Sequence, residues 1–285
     1  MATVVFFHAH PDDEAIATAG TMAGLADAGH RVVLVTATRG ELGEIPDGLL
    51  DPGESLAERR NKELDEACRI LGVAHQTYLG YLDSGMAGED TNLRPGTFAE
   101  ADVGVAGASL ADLLARESAD VLVIYDEHGG YGHPDHIQVH RVGMAAADLA
   151  STPVVYLSTM NRDLVGELTA LADDTDWEPP AGSTEGMEEM GEPASRITTA
   201  VDVAPWIERK RRAMSAHASQ IGEESFFLSM PDDLFSTVWG REWYIRIRPA
   251  PDRSGPDAWE PELLLRAGAT PAGNGPPLLD GTARP

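Results

Sequence analysis

Apolar positions along the chain follow two alternating patterns. Short unbroken apolar runs at Thr3 to Phe7, Arg31 to Ala37, Asp120 to Tyr125 and Pro153 to Leu157 have the length and β-branched content of buried strands. A shorter run at Gln76 to Leu79 reads the same way. Between them, apolar residues recur at helical spacing. One such stretch runs from about Asp13 to Ala28, with Ile16, Met22 and Leu25 on its apolar face, and stops at Gly29-His30. Another begins at Ser55, whose Ser55-Leu56-Ala57-Glu58 sequence is a capping-box pattern, and ends at Leu71-Gly72. Further helices are predicted from about Val105 to Arg116 and from His136 to about Ala150. Strands alternating with helices imply parallel βαβ units, and so a doubly wound, mostly parallel α/β sheet with helices on both faces.

The C-terminal part is less regular. Ile197 to Val201 and Trp243 to Ile247 are candidate strands, and Ala204 to His217 a helix whose basic centre, Arg209-Lys210-Arg211-Arg212, reads as a solvated face. Residues 173–192 hold eight acids and no Lys or Arg, with Pro179-Pro180 inside, and are expected to form a mobile insertion. Phe226, Phe227, Met230, Phe235 and Trp239 are expected in the core or an interface. From about Pro249 the chain is rich in Pro and Gly, which predicts a largely disordered tail over 249–285 behind a single domain of residues 1–248.

Composition narrows the function. A chain of 285 residues can bury one large core. The formal net charge of −26 argues against a nucleic-acid partner, which needs a basic patch. No apolar run reaches the ~18 residues of a membrane span, and the first strand follows the initial Met with no signal-peptide pattern. Cys68 is the only cysteine, so a thiolate zinc site and an intrachain disulfide are excluded. A cytoplasmic protein with a small-molecule substrate, no membrane and no nucleic-acid partner is expected; a homo-oligomer is left open.

The candidate chemistry lies at two strand-to-helix junctions. His10-Pro11-Asp12-Asp13 follows the first strand, and His133-Pro134-Asp135-His136 follows the strand ending at Tyr125. In a parallel sheet both junctions fall on the same edge, where open α/β sheets bind ligands. A hydrolytic metal site wants three His or carboxylate ligands and one open position, and His10, Asp13 and His136 supply two histidines and one carboxylate. Asp12 and His133 remain beside the ion as titratable groups, one available as base and the other as acid or oxyanion donor. His8, one residue from the cluster, is expected to point away from His10 or into the core, and His30, His75 and His128 to be structural or exposed.

Ala9-His10-Pro11-Asp12-Asp13-Glu14, together with Gly130-Tyr131-Gly132-His133-Pro134-Asp135-His136, resembles the LmbE/PIG-L family of zinc-dependent N-acetylglucosamine deacetylases. The resemblance covers residues 3 to 150 and continues more loosely through Ala216-His217-Ala218-Ser219-Gln220. It is greatest to the actinobacterial branch around mycothiol, which includes the deacetylase of N-acetylglucosaminyl-inositol and the amidase of mycothiol S-conjugates. It implies a Rossmann-like fold, with His10, Asp13 and His136 as ligands of Zn2+ (a donor set that also suits Fe2+ or another divalent ion) and Asp12 as general base. By the same resemblance His133 stabilises the oxyanion or protonates the leaving amine, and Asp135 orients and charges His133. Tyr131 is matched to a mobile tyrosine that reaches the carbonyl oxygen, with Gly129, Gly130 and Gly132 giving it room. Arg60 is matched to a sugar-binding arginine and Asp83 to a residue that holds substrate hydroxyls.

The expected reaction is removal of acetyl from an N-acetylglucosamine-containing small molecule such as N-acetylglucosaminyl-inositol. The alternatives are a mycothiol S-conjugate amidase, a deacetylase of a glycosylated natural product, and, more distantly, an inactive metal-binding module. Ala17 stands where a lysine is expected in the amidases, which weighs against the first. No strand–GxxxxGK[ST]–helix loop supports a phosphohydrolase.

Overall fold

A computed structural model describes residues 1–46, 48–164, 177–180, 183 and 186–249. Among them, strands β1 (Thr3–His8), β2 (Arg31–Thr36), β3 (His75–Tyr78), β4 (Val121–Tyr125), β5 (Val154–Thr159), β6 (Thr199–Asp202) and β7 (Arg241–Arg248) form one sheet in the order β3-β2-β1-β4-β5-β7-β6. The first five are parallel. β7 runs antiparallel between β5 and β6, which is why the C-terminal part lacks the βαβ rhythm.

The main helices among the described residues are α1 (Asp13–Ala17), α2 (Ala19–Asp27), α3 (Leu56–Leu71), α4 (Val103–Glu117), α5 (Pro134–Leu149), α6 (Ile207–Ala216) and α7 (Asp232–Trp239), with one short helical turn at Gly129–Gly132. They cover the sheet in two layers. Val4 and Phe6 of β1 pack towards Met22, Leu64 and Met214 of α2, α3 and α6. Their neighbours Val5 and Phe7 pack towards Leu110 of α4 and Val139 and Val142 of α5. A strand buried on both faces must be apolar through its centre, as Val4 to Phe7 of β1 and Val121 to Ile124 of β4 are. Burying each such side chain is worth roughly 1.5–3 kcal/mol.

Several expectations change in detail. The helix expected over Asp13 to Ala28 is broken at Thr18, whose backbone leaves the helical region (φ −139°) while its hydroxyl meets Nε2 of His8 at 3.0 Å. The capping box at Ser55 and Glu58 is formed, and Gly72 closes α3 with a φ of 79°. The basic centre of α6 is not uniformly solvated. Lys210 is 1% exposed and pairs with Glu242 at 2.7 Å, because its position on α6 faces the sheet. Glu242 also accepts the amides of Gly20 and Thr21 at the start of α2. Helix α7, not anticipated, buries Leu234 and Phe235; Met230 is buried too, and Phe226, Phe227 and Trp239 pack against the same core.

No helix among the described residues is long and apolar enough to cross a membrane. The proposed tail lies outside the described residues apart from Pro249. Of the acidic stretch, Asp173, Asp174, Asp176 and Glu185 also lie outside them. Its last residues are held in place: Gly191 donates to the carbonyl of Gly130 at 3.0 Å, and Glu192 is buried against Arg196.

Candidate active site

Strand order reverses between β1 and β4, and both HPD junctions leave the sheet at that reversal, where the flanking loops diverge and leave a crevice. His10 follows β1, and Asp13 opens α1 with its Oδ2 accepting the amide of His10 at 2.7 Å. His136 sits in the first turn of α5, behind Pro134. Asp13 then faces both histidines, with Oδ2 3.6 Å from Nδ1 of His10 and Oδ1 3.3 Å from Nε2 of His136. Nitrogens of His10, His133 and His136 also lie within 4.8 Å of one another.

Tautomers follow from the hydrogen bonds. Nδ1 of His136 lies 3.2 Å from the carbonyl of Gly129, so it carries the proton and Nε2 presents a lone pair. That Nε2 is buried and has no hydrogen-bond partner. Gly129 permits this approach: with φ at 64°, a Cβ there would lie 2.5 Å from that of His136. Nε2 of His10 meets Oδ2 of Asp135 at 3.1 Å and so turns Nδ1 towards Asp13. An orphaned imidazole nitrogen, a second turned the same way and a carboxylate between them suit a divalent ion. His10, Asp83 and Asp135 form another such group, but there the amides of Ser84, Gly85 and Leu42 already occupy the carboxylates.

The Asp135 carboxylate makes no hydrogen bond to His133. It turns instead to His10 and to the amide and hydroxyl of Ser84. It is the Asp135 backbone amide that donates to Nδ1 of His133, at 3.1 Å, because His133 is the N-cap of α5. A ring whose Nδ1 accepts from a backbone amide carries its proton on Nε2 when neutral. Burial and the neighbouring His10 and His136 pull His133 down to about 4, outweighing the upward pull of Asp135.

Asp12 adopts φ 110° and ψ −30°, a conformation that costs about 1–3 kcal/mol in a non-glycine residue. As N-cap of α1 it makes no side-chain cap bond, and its Oδ1 lies 3.3 Å from Nη2 of Arg60. Burial pushes that carboxyl up to about 6 against the pull of Arg60.

Arg60 and Asp83 lie beside the cluster, but their polar atoms are largely engaged. Arg60 is buried and donates to the carbonyls of Pro11 at 2.5 Å and Gly40 at 2.7 Å, which leaves little guanidinium for a sugar. Both oxygens of Asp83 accept loop amides, from Leu42 and Gly85. Tyr131, 48% exposed, stands edge-on to His136 with ring centroids 4.9 Å apart. His8 turns into the core as expected, bonded to the hydroxyl of Tyr125 at 2.6 Å. The stacking of Tyr125 on His136, and the contacts of Ser84, Glu14 and His217 around the site, have no sequence signal beyond the motif fragments that contain Glu14 and His217.

A mostly parallel α/β sheet with a buried His/Asp cluster at its switch point defines a Rossmann-like protein with a candidate metal site. Comparison with known proteins specifies the family. Residues 5–147 match the family described as PIG-L: GlcNAc-PI de-N-acetylase. The chain is 38% identical to the 1D-myo-inositol 2-acetamido-2-deoxy-alpha-D-glucopyranoside deacetylase of Acidothermus cellulolyticus, across 95% of this chain and 97% of that one. It is 40% identical to the protein of the same name from Nocardiopsis dassonvillei, across 86% and 94%. The chain belongs to the PIG-L family. In fold it is similar to the N,N'-diacetylchitobiose deacetylase of Pyrococcus horikoshii, with a TM-score of 0.56 and 20% identity over 88% of this chain and 87% of that one.

Proposed function

We propose that the protein is a metal-dependent N-deacetylase that removes acetyl from an N-acetylglucosaminyl-inositol or a close relative of it. The observation that carries this reading is the orphaned Nε2 of His136 opposite Asp13, with the buried carboxylate of Asp12 on the adjoining residue, in a chain 38% identical to a deacetylase of that substrate. In this reading His10 (through Nδ1), Asp13 and His136 (through Nε2) hold the ion. Two histidines and one aspartate suit Zn2+ best, and also suit Fe2+ or another divalent ion.

When bound, such an ion polarises the amide carbonyl and increases the acidity of water at the site. Asp12 takes the proton of the attacking water. The Nε2–H of His133 donates to the carbonyl oxygen as it gains charge, joined from the rim by the hydroxyl of Tyr131. The leaving nitrogen needs a proton, since an amide anion is a poor leaving group. With Nδ1 of His133 accepting from Asp135, the ring favours the neutral form, so protonated Asp12 is the better donor. Arg60 acts through Asp12 rather than on the sugar, its Nη2 lying 3.3 Å from Oδ1.

The test is amine release from N-acetylglucosaminyl-inositol, mycothiol conjugates, chitobiose and glycosylated antibiotics, each with and without chelator. We expect chelator-sensitive release from the first. Chelator-resistant turnover overturns the metal chemistry, and release from thiol conjugates alone reassigns the protein to the amidases.

A further inference from the structure

The peptide unit joining Pro11 to Asp12 is gripped on both edges. Its carbonyl accepts from Nη2 of Arg60 at 2.5 Å, and its N–H donates to Oε2 of Glu14 at 3.0 Å. Each gripping side chain is backed by a residue from one turn of the distant half of the chain. Oε1 of Glu14 lies 2.6 Å from Nε2 of His217, and Nη1 of Arg60 donates to Oε1 of Gln220 at 3.2 Å. That turn is itself pinned, since the amide and hydroxyl of Ser219 donate to Glu63 on α3, and Gln220 and Ile221 donate to the carbonyl of His217. Glu14 and His217 are fully buried.

We propose that Glu14 and His217 are positioning residues that hold Asp12 in its strained backbone conformation and so aim its carboxylate. This rests on the role of Asp12 proposed above. A buried ion pair is weak evidence of stabilisation in itself. Here one oxygen of the buried carboxylate is used on the N–H of the one residue among Pro11, Asp12 and Asp13 with a positive φ. Without that acceptor the peptide is held only on its carbonyl edge, by Arg60, and its N–H edge can turn towards ordinary φ. The carboxylate of Asp12 would then swing away while Asp13, anchored on the amide of His10, stays in place.

The test compares Glu14→Leu, which removes the acceptor at similar volume, and His217→Gln in the parent and in an Asp12→Ala background. In the parent, each is expected to lower kcat about 10²-fold through misplacement of the carboxylate, with KM unchanged. In Asp12→Ala the same changes are expected to cost less than about twofold, because the group they position is gone. Equal losses in both backgrounds, or a parental kcat in the single variants, overturns the proposal. If Glu14→Leu does not fold, His217→Gln decides by the same ratios. A crystal structure of the folded variant needs no activity: we expect the φ of Asp12 to have left the positive region, and an unchanged peptide overturns the proposal. Failure of the deacetylase reading shows separately, as a parent that releases no amine from any substrate tested.

Discussion

Nε2 of His136 faces Oδ1 of Asp13 across 3.3 Å, buried and with no hydrogen bond between them. Two acceptors held face to face in a dry site repel unless a cation lies between them. Divalent ion should therefore stabilise the fold. At a free concentration 100 times its Kd, it adds about 2.7 kcal/mol. The expected outcome is a lower melting temperature after chelation, restored by added Zn2+, with no such response in His136→Ala.

The contact of Asp135 with His10 separates two accounts of Asp135. If it orients His10, Asp135→Asn should weaken metal binding by about 10–100-fold. If it charged His133, affinity would be unchanged and only turnover would fall. Competition with a chelating dye measures the affinity directly, and an unaltered Kd would rule out the first account.

Lys210 and Glu242 form a buried pair at 2.7 Å beneath the sheet. Lys210→Ala leaves a buried carboxylate without its cation and should cost roughly 3–5 kcal/mol in urea unfolding. Pairing it with Glu242→Gln should recover much of that loss. A surface role for Lys210, as its sequence neighbours suggest, would give a change below about 0.5 kcal/mol.

Burial alone would raise the pKa of Glu14 and lower that of His217; their attraction reverses both, placing Glu14 below and His217 above its ordinary value. The contribution of a raised histidine is complete below its unfolded pKa of about 6.5 and is lost as pH rises through the folded value. That of the depressed Glu14 is lost as pH falls through its own folded value. The melting temperature of wild type minus that of His217→Gln should thus be largest near pH 6 and shrink towards pH 9. A difference that grows with pH would contradict a charged pair.

Much of the fold is legible because strands buried on both faces and capped helices leave one-dimensional marks. The runs at β1, β2 and β4 and the box at Ser55 are of this kind, and so is the placement of both HPD motifs at strand ends. Breaks such as Thr18, and the inward turn of Lys210, depend on partners such as His8 and Glu242, which no local pattern announces.

From the sequence alone came the parallel α/β class, the convergence of His10, Asp13 and His136, and the separation of Asp12 from the donor set. Residue type and the position of a motif at a strand end are enough for those. Tertiary structure decided what each side chain does with its second atom. It turned Asp135 from His133 to His10, engaged Arg60 on backbone carbonyls, and bound Glu14 to His217 from the other half of the chain. Hydrogen bonds are directional and close over a few ångströms, so these choices belong to loops that meet only when the sheet is assembled.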